Sequence, residues 1–240
     1  MNGVKIRTRS ANSVANEIEW YYNKYDCNRF SFYDDNIISV KNHMESICSE
    51  IIKRKLNIQF ETTSGFQISK MNKELADIMV EAGWVRSMFS IESGNDYIRN
   101  KIMGKHLERE KIFEVAEYIK NKYPQVLLRA LFIIGMPEDT NETIKDSYNM
   151  INELNLNENR VENLVPLPGT RVFEQCVRDN LFLNNFNMEE YWRGGRTDFG
   201  DNRGFHIKPY NMTEEELINW RKKFDSLIEL KESTIDKTHN

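Results

Sequence analysis

The amino-acid sequence predicts an α/β fold built on a parallel sheet, and three observations carry that expectation. Strand-like apolar runs alternate with helical stretches, the runs beginning near residues 29, 58, 86, 126 and 160. Their spacing of roughly 29 to 40 residues is that of βαβ units with right-handed crossovers. Each run ends in a polar turn containing glycine, proline or clustered Asp and Asn. In parallel α/β architectures such turns gather at the carboxyl edge of the sheet, where ligand sites are built.

The chain opens on a helix. Ser10 to Lys24 carries an apolar stripe of Val14, Ile18 and Tyr21 or Tyr22, with Ser10 as N-cap. Only Val4-Lys5-Ile6 precedes it, too little for both a strand and a strand-to-helix loop, so one strand is expected to be missing upstream. Arg29-Phe30-Ser31-Phe32-Tyr33 is the first visible strand and ends at Asp34-Asp35-Asn36. A helix over about 40–55 places Val40, Met44, Ile47, Ile51 and Ile52 on one face. Ile58 to Thr63 is the next strand, stopped at Ser64-Gly65, and Lys73 to Ala82 is a helix closed by Gly83 in the C′ position.

The cycle then repeats. Arg86 to Ile91 leads into Glu92-Ser93-Gly94, and a helix follows over about 108–122. Val126 to Ile134 is the most apolar strand and ends at Gly135-Met136-Pro137. Thr140 to Leu154 is helical, and Arg160 to Val165 is the last strand. Residues 181–210 scatter Phe182, Phe186, Tyr191, Trp192, Phe199 and Phe205 without a period, as an irregular packing segment does. Thr213 and Glu216 form a capping box for a final helix that buries Leu217, Trp220, Phe224, Leu227 and Leu230. The expected division is a core over 1–176, with 177–240 packing on it.

Composition narrows the partners. Net charge is −4, so no broad basic field exists for nucleic acid or anionic lipid. No apolar run approaches the ~18 residues of a membrane span, since Val126 to Pro137 is interrupted by Arg129. The start Met1-Asn2-Gly3-Val4-Lys5 lacks a signal-peptide apolar region, so a cytoplasmic protein is expected. Cys27, Cys48 and Cys176 are odd in number and far apart, which excludes a disulfide framework and any local metal-ligand spacing. The four histidines show no i, i+4 pair. Phosphate-loop and dinucleotide glycine patterns are likewise absent.

The strand-end turns hold the candidate chemistry. Asp34, Asp35 and Glu92 place carboxylates where a ligand ammonium or sugar hydroxyls would find charge-assisted acceptors. Asp35 also suits an ordinary turn or cap, whereas Glu92 follows an apolar strand where a buried carboxylate is costly without a partner. Ser64-Gly65 and Gly135-Met136-Pro137 let a ligand approach the main chain.

The order of these turns resembles the radical S-adenosylmethionine (radical SAM) superfamily. Arg9-Ser10, Phe30 to Asp35, Ser64-Gly65-Phe66, Ala82-Gly83-Trp84, Ser90 to Gly94, Phe132 to Glu138 and Pro168-Gly169-Thr170 carry the likeness, from about Arg7 to Cys176. The branch resembled is the one whose members often carry an upstream cobalamin-binding domain. The resemblance implies a partial (β/α)6 TIM-like barrel. It implies S-adenosylmethionine bound across the strand ends beside a four-iron four-sulfur cluster that cleaves it to a 5′-deoxyadenosyl radical. Asp34 and Asp35 would then hold the methionyl amino group, Glu92 the ribose, and Ile133 to Pro137, including Gly135, would border the adenine. Ser64 and Gly65 would lie near the methionyl carboxylate, with Gln67 where many relatives place an arginine.

The family's cluster needs a C-x-x-x-C-x-x-C loop after the first strand, and this chain has none. The resemblance therefore implies a radical SAM core lacking its amino-terminal section, its cluster supplied by a missing segment or a partner, its substrate a small molecule. Cobalamin would enter only through an upstream domain. The alternative is a binding module or remnant that keeps the nucleoside pocket without the cluster.

Overall fold

The computed structural model describes residues 6–183 and 204–238, with side chains as far as 230. The aromatic and arginine run at Phe186, Tyr191, Trp192, Arg193, Arg196, Phe199 and Arg203 lies outside the described residues. The chain forms two compact units, Met1–Phe89 with Phe113–Leu128, and Ser90–Ile112 with Arg129–Asn240.

The first unit begins with α1 (Ala11–Tyr25), whose N-cap Ser10 side chain accepts the Ser13 N–H as expected. Ala15 and Ile18 are its buried residues, and Tyr22 rather than the exposed Tyr21 continues the stripe. β1 (Arg29–Phe32) follows, then α2 (His43–Lys53), which starts three residues later than its apolar spacing suggested, leaving Val40 in the preceding loop. Met44, Ile47, Cys48 and Ile51 are the buried face of α2. Just after α2, the Arg54 guanidinium reaches α1, donating to Asn12 Oδ1 at 2.6 Å, Asn16 Oδ1 at 2.7 Å and Glu19 Oε2 at 2.8 Å.

β1 runs parallel to β2 (Gln59–Phe66), in register from Arg29 opposite Gln59 to Phe32 opposite Thr62. β2 does not stop at Ser64-Gly65. It bulges there and resumes, because Thr62 pairs with Ser87 and Phe66 with Phe89 of β3 (Trp84–Glu92). Three residues of β2, Thr63 to Gly65, thus lie opposite one residue of β3. What holds the far side of the bulge is aromatic: Phe66 stacks at 5.6 Å on Phe89 and 6.2 Å from Trp84. Between β2 and β3 runs α3 (Lys73–Glu81), whose chain reverses at Gly83 with φ +104°.

α4 (Arg109–Lys122) contributes Tyr118 and Lys122 to a network completed by the following Tyr123, all converging on Asp77 of α3. Both phenols donate to Asp77 Oδ1, at 2.6 and 2.8 Å, and Lys122 Nζ donates to Oδ2 at 2.9 Å. These donors, Tyr118 first, hold the Asp77 carboxyl down from its ordinary 3.8 to about 2. Folding stability from this group is therefore full above pH 4 and is lost as pH falls toward 2. Asp77→Asn is expected to cost roughly 1 kcal/mol at pH 7, a figure reduced for solvent screening of a 38 % exposed side chain. In denaturant titrations the gap to the wild type should close as pH approaches 2, and a gap independent of pH would refute the assignment.

The second unit contains the last residues of β3, β4 (Leu127–Ile134), α5 (Asn141–Leu154), β5 (Glu158–Asn163), α6 (Arg171–Arg178) and α7 (Glu214–Thr238). β4 and β5 pair in parallel from Arg129 opposite Glu158 to Ile134 opposite Asn163. β5 starts two residues before the expected Arg160, since Glu158, polar and unremarkable in sequence, is ion-paired with Arg129 across the ladder. Ala130, Phe132 and Ile134 are buried and alternate with the half-buried Arg129, Leu131 and Ile133. Thr140 caps α5 by accepting the Thr143 N–H at 3.3 Å.

The Thr213 and Glu216 capping box of α7 is present, with Glu216 Oε2 accepting the Thr213 N–H at 2.7 Å. Leu217, Trp220, Phe224 and Leu227 are buried as expected, but Leu230 is 67 % exposed. Arg221 of α7 donates to the Val161 carbonyl, and Trp220 Nε1 donates to Asn141 Oδ1 at 2.7 Å. Phe182 and Ile207 form an antiparallel bridge over a small core of Cys176, Leu181 and Ile207. Among the described residues, no helix is long and apolar enough to cross a membrane.

Candidate functional site

In the first unit, the turn after β1 and the bulge of β2 are joined by hydrogen bonds. Thr63 Oγ1 donates to the Phe32 carbonyl at 3.2 Å and Ser64 Oγ to the Tyr33 carbonyl at 3.5 Å. The Gln67 N–H donates to Asn36 Oδ1 at 3.3 Å. Asp34 and Asp35 lie exposed between these anchors, so the structure gathers Asp34, Asp35, Ser64, Gly65 and Gln67 at one strand-end edge. Buried Ile37 and Ile38 hold the turn from below. Ser64 and Gly65 lie within the bulge itself, and Gln67 directly follows β2.

In the second unit, Glu92 ends β3 with φ +72°, a left-handed backbone costing a non-glycine residue about 1–2 kcal/mol. That conformation is over-determined by its neighbours. The Gly94 N–H donates to Ser147 Oγ of α5 at 2.9 Å. The Ser93 and Gly94 carbonyls accept from Arg99 Nη1 at 2.9 and 3.3 Å. Arg99 is fully buried, pairs with Asp96, and also donates from Nε to the Leu107 carbonyl at 2.7 Å. Asn100 accepts the Leu107 N–H at 2.8 Å, closing the loop around the guanidinium.

The Glu92 carboxylate is 7 % exposed as a residue, and its two oxygens differ. Oε1 accepts from Lys105 Nζ at 2.6 Å, whereas Oε2 is buried with no hydrogen-bond partner. A buried carboxylate oxygen without a donor is an uncompensated cost, and sugar hydroxyls are donors of the right kind to remove it. On this observation the residue fits the ribose contact implied by the resemblance.

Ile133, Gly135 and Pro137 follow on β4 and its turn. Gly135 adopts φ +92°, and a Cβ there would stand 3.1 Å from the Phe205 ring, so glycine serves both conformation and contact. The Gly135 and Met136 N–H groups both donate to Asp139 Oδ2 at 2.9 Å, and Thr143 Oγ1 donates to Asp139 Oδ1 at 2.8 Å. Burial pushes the Asp139 carboxyl up from 3.8 to about 6 against the pull of these donors. The Pro137 carbonyl accepts the Tyr210 N–H at 2.9 Å.

Lys105, Arg99, Ser147 and Asp139 bond to the turns after β3 and β4, and sequence reasoning did not single them out. Each acts on a group distant in sequence or on main-chain atoms, so neither periodicity nor motif spacing marks it. Asp139, two residues after Pro137, follows the glycine turn at the spacing of a side-chain cap, and that signal could have found it.

The cysteines do not fit a cluster. Cys27 is half-buried, and its Sγ donates to the Arg29 carbonyl at 3.4 Å. Cys48 and Cys176 are buried, which pushes the Cys48 thiol up to about 12 and the Cys176 thiol up to about 11. Among the described residues no group of three or more His, Cys, Asp or Glu side chains is placed to hold a metal ion.

Comparisons with known proteins bear on the same segments. The model of the Radical SAM superfamily matches residues 1–151. Over 185 residues the chain is 26% identical to the cytidylyl-2-hydroxyethylphosphonate methyltransferase of Streptomyces wedmorensis, covering 75% of this chain and 34% of that protein. Over 191 residues it is 26% identical to an uncharacterized methyltransferase of Pyrococcus horikoshii, covering 79% of this chain and 40% of that one. The chain thus spans 34% to 40% of the length of these relatives.

Two solved structures share its fold. The radical S-adenosylmethionine methyltransferase TsrM from Kitasatospora setae, with cobalamin and a [4Fe-4S] cluster bound, matches with a TM-score of 0.62 at 18% identity, over 71% of this chain and 32% of that one. The cobalamin-dependent S-adenosylmethionine radical enzyme OxsB matches with a TM-score of 0.52 at 14% identity, over 94% and 33%. The α/β class, the parallel strands and the partial-barrel likeness agree with the expectation from sequence. With a family model matched from residue 1 to residue 151 of 240, this chain belongs to the radical SAM superfamily.

Proposed function

We propose that this chain is the S-adenosylmethionine-binding core of a radical SAM enzyme that acts on a small-molecule substrate. The observation that carries the reading is the buried, unpartnered Oε2 of Glu92 at the end of β3. In this reading Glu92 accepts from the ribose hydroxyls, and Asp34 and Asp35 accept from the methionyl ammonium. Ser64, Gly65 and Gln67 lie along the methionyl carboxylate, and Ile133, Gly135 and Pro137 border the adenine. Bound S-adenosylmethionine would bring a transferable methyl group and an adenosyl group to the site. The chain's own residues bind and orient it.

The reaction class favoured is methyl transfer, the activity named for two of the relatives. The cluster ligands would come from a segment or partner outside these 240 residues, and cobalamin from a further domain. The burial of Cys48 on the core face of α2, and of Cys176 in the small core with Leu181 and Ile207, favours one second reading of the same site, a nucleoside-binding module that builds no cluster on its own cysteines.

Calorimetric titration of S-adenosylmethionine into the 240-residue chain tests the shared premise. Glu92→Gln replaces a charged acceptor by a neutral one, and a loss of about tenfold in affinity is expected, equivalent to about 1.4 kcal/mol. Equal affinity in the two proteins would overturn the assignment of Glu92.

A further inference from the structure

The ion pair between Lys105 and Glu92 has no counterpart among the contacts expected from sequence. The two residues are 13 apart, and the loop between them is wound around Arg99. The Lys105 N–H donates to the Arg99 carbonyl at 3.0 Å, so the main chain that carries the ammonium is tied to the same guanidinium-bearing residue that holds Ser93 and Gly94. The Lys105 side chain is 33 % exposed and that of Glu92 10 % exposed. The ammonium therefore reaches in from the solvent side and takes one carboxylate oxygen only.

Consider what a carboxylate in that position needs. Buried and unpaired, a charged group is costly to hold in place. Paired through both oxygens, it would offer a ligand only lone pairs beside donors already in place. The single 2.6 Å contact on Oε1 does neither: it compensates the charge and fixes the plane of the group, while Oε2 stays open as an acceptor.

We propose that Lys105 is a positioning residue that makes Glu92 a selective acceptor for ribose hydroxyls, so that the site distinguishes ribonucleosides from 2′-deoxynucleosides. The proposal rests on the S-adenosylmethionine reading of the site and adds to it the source of sugar specificity. The physical basis is that a site built to accept a hydroxyl proton rejects the analogue lacking it, since the buried acceptor is then left unpaired.

The test compares adenosine, 2′-deoxyadenosine and S-adenosylmethionine binding by calorimetry, using the full chain, Lys105→Met, Lys105→Arg, Glu92→Gln and the double variant Lys105→Met/Glu92→Gln. The wild type should prefer adenosine over 2′-deoxyadenosine by about tenfold or more. Lys105→Met should reduce that preference to within about threefold, and Lys105→Arg, which keeps the charge, should restore most of it. In the Glu92→Gln background, Lys105→Met should have no further effect on the preference, because the two residues act through one carboxylate. Thermal midpoints of all variants report folding, and should Lys105→Met fail to fold, the Lys105→Arg and Glu92→Gln preferences still decide: a wild-type preference that survives Glu92→Gln overturns the proposal.

The two possible failures are separable. If the wild type binds none of the three compounds, the S-adenosylmethionine reading falls. If it binds them with the expected preference and Lys105→Met keeps both affinity and preference, the role given to Lys105 falls while that reading stands.

Discussion

Gly94→Ala is expected to destabilise the second unit by about 4 kcal/mol, at the upper end of what overpacking costs. An added Cβ would stand 2.4 Å from the Asp146 carbonyl oxygen, 2.5 Å from its carbon and 2.6 Å from Ser147 Cα. All three are main-chain atoms inside α5, so no side chain can rotate to make room. The same approach is what lets the Gly94 N–H reach Ser147 Oγ at 2.9 Å, and the substitution would break that bond too. For a chain of this size the loss corresponds to a fall in thermal midpoint of roughly 8–16 °C. Circular dichroism on heating measures it, and a midpoint within about 2 °C of the wild type would mean that α5 does not pack on this turn.

Arg99→Met is expected to be comparably severe, about 3–5 kcal/mol, because it strips donors from three carbonyls in a buried setting. Ser93, Gly94 and Leu107 would each lose their bond to the guanidinium. Arg99→Lys should recover only a small part, since a point ammonium cannot serve three divergent acceptors as a planar fork does. The second consequence is functional. Arg99 fixes the chain on both sides of the Glu92 and Lys105 pair, so nucleoside affinity should fall with stability in Arg99→Met. Denaturant unfolding and calorimetry on the same sample give both numbers, and a stable variant with unaltered affinity would show that the loop keeps its shape without the arginine.

These two residues also mark where sequence reading reaches its limit. The alternation of strands and helices was legible because burial imposes it residue by residue: Ala130, Phe132 and Ile134 are buried in β4 and their neighbours are not. Helix starts were legible where a side chain caps its own helix, as Ser10 and Thr213 do. Glu92 was legible as an expensive carboxylate at a strand end. Its partner was not, because Lys105 is an ordinary loop lysine until the chain is wound around Arg99. The bulge in β2 and the early start of β5 share that character, each being decided by the opposing strand. Leu230 errs in the other direction, an apolar residue in phase with its helix that is nonetheless exposed.

The turn after β4 turns its own main-chain donors inward. Strand-end turns of this kind often meet a phosphate with open main-chain N–H groups. Here the Gly135 and Met136 N–H groups are already committed to Asp139, a residue of their own turn. The turn has filled its own anion cradle with a built-in carboxylate, so these two main-chain donors are not available to a phosphate arriving at this strand end.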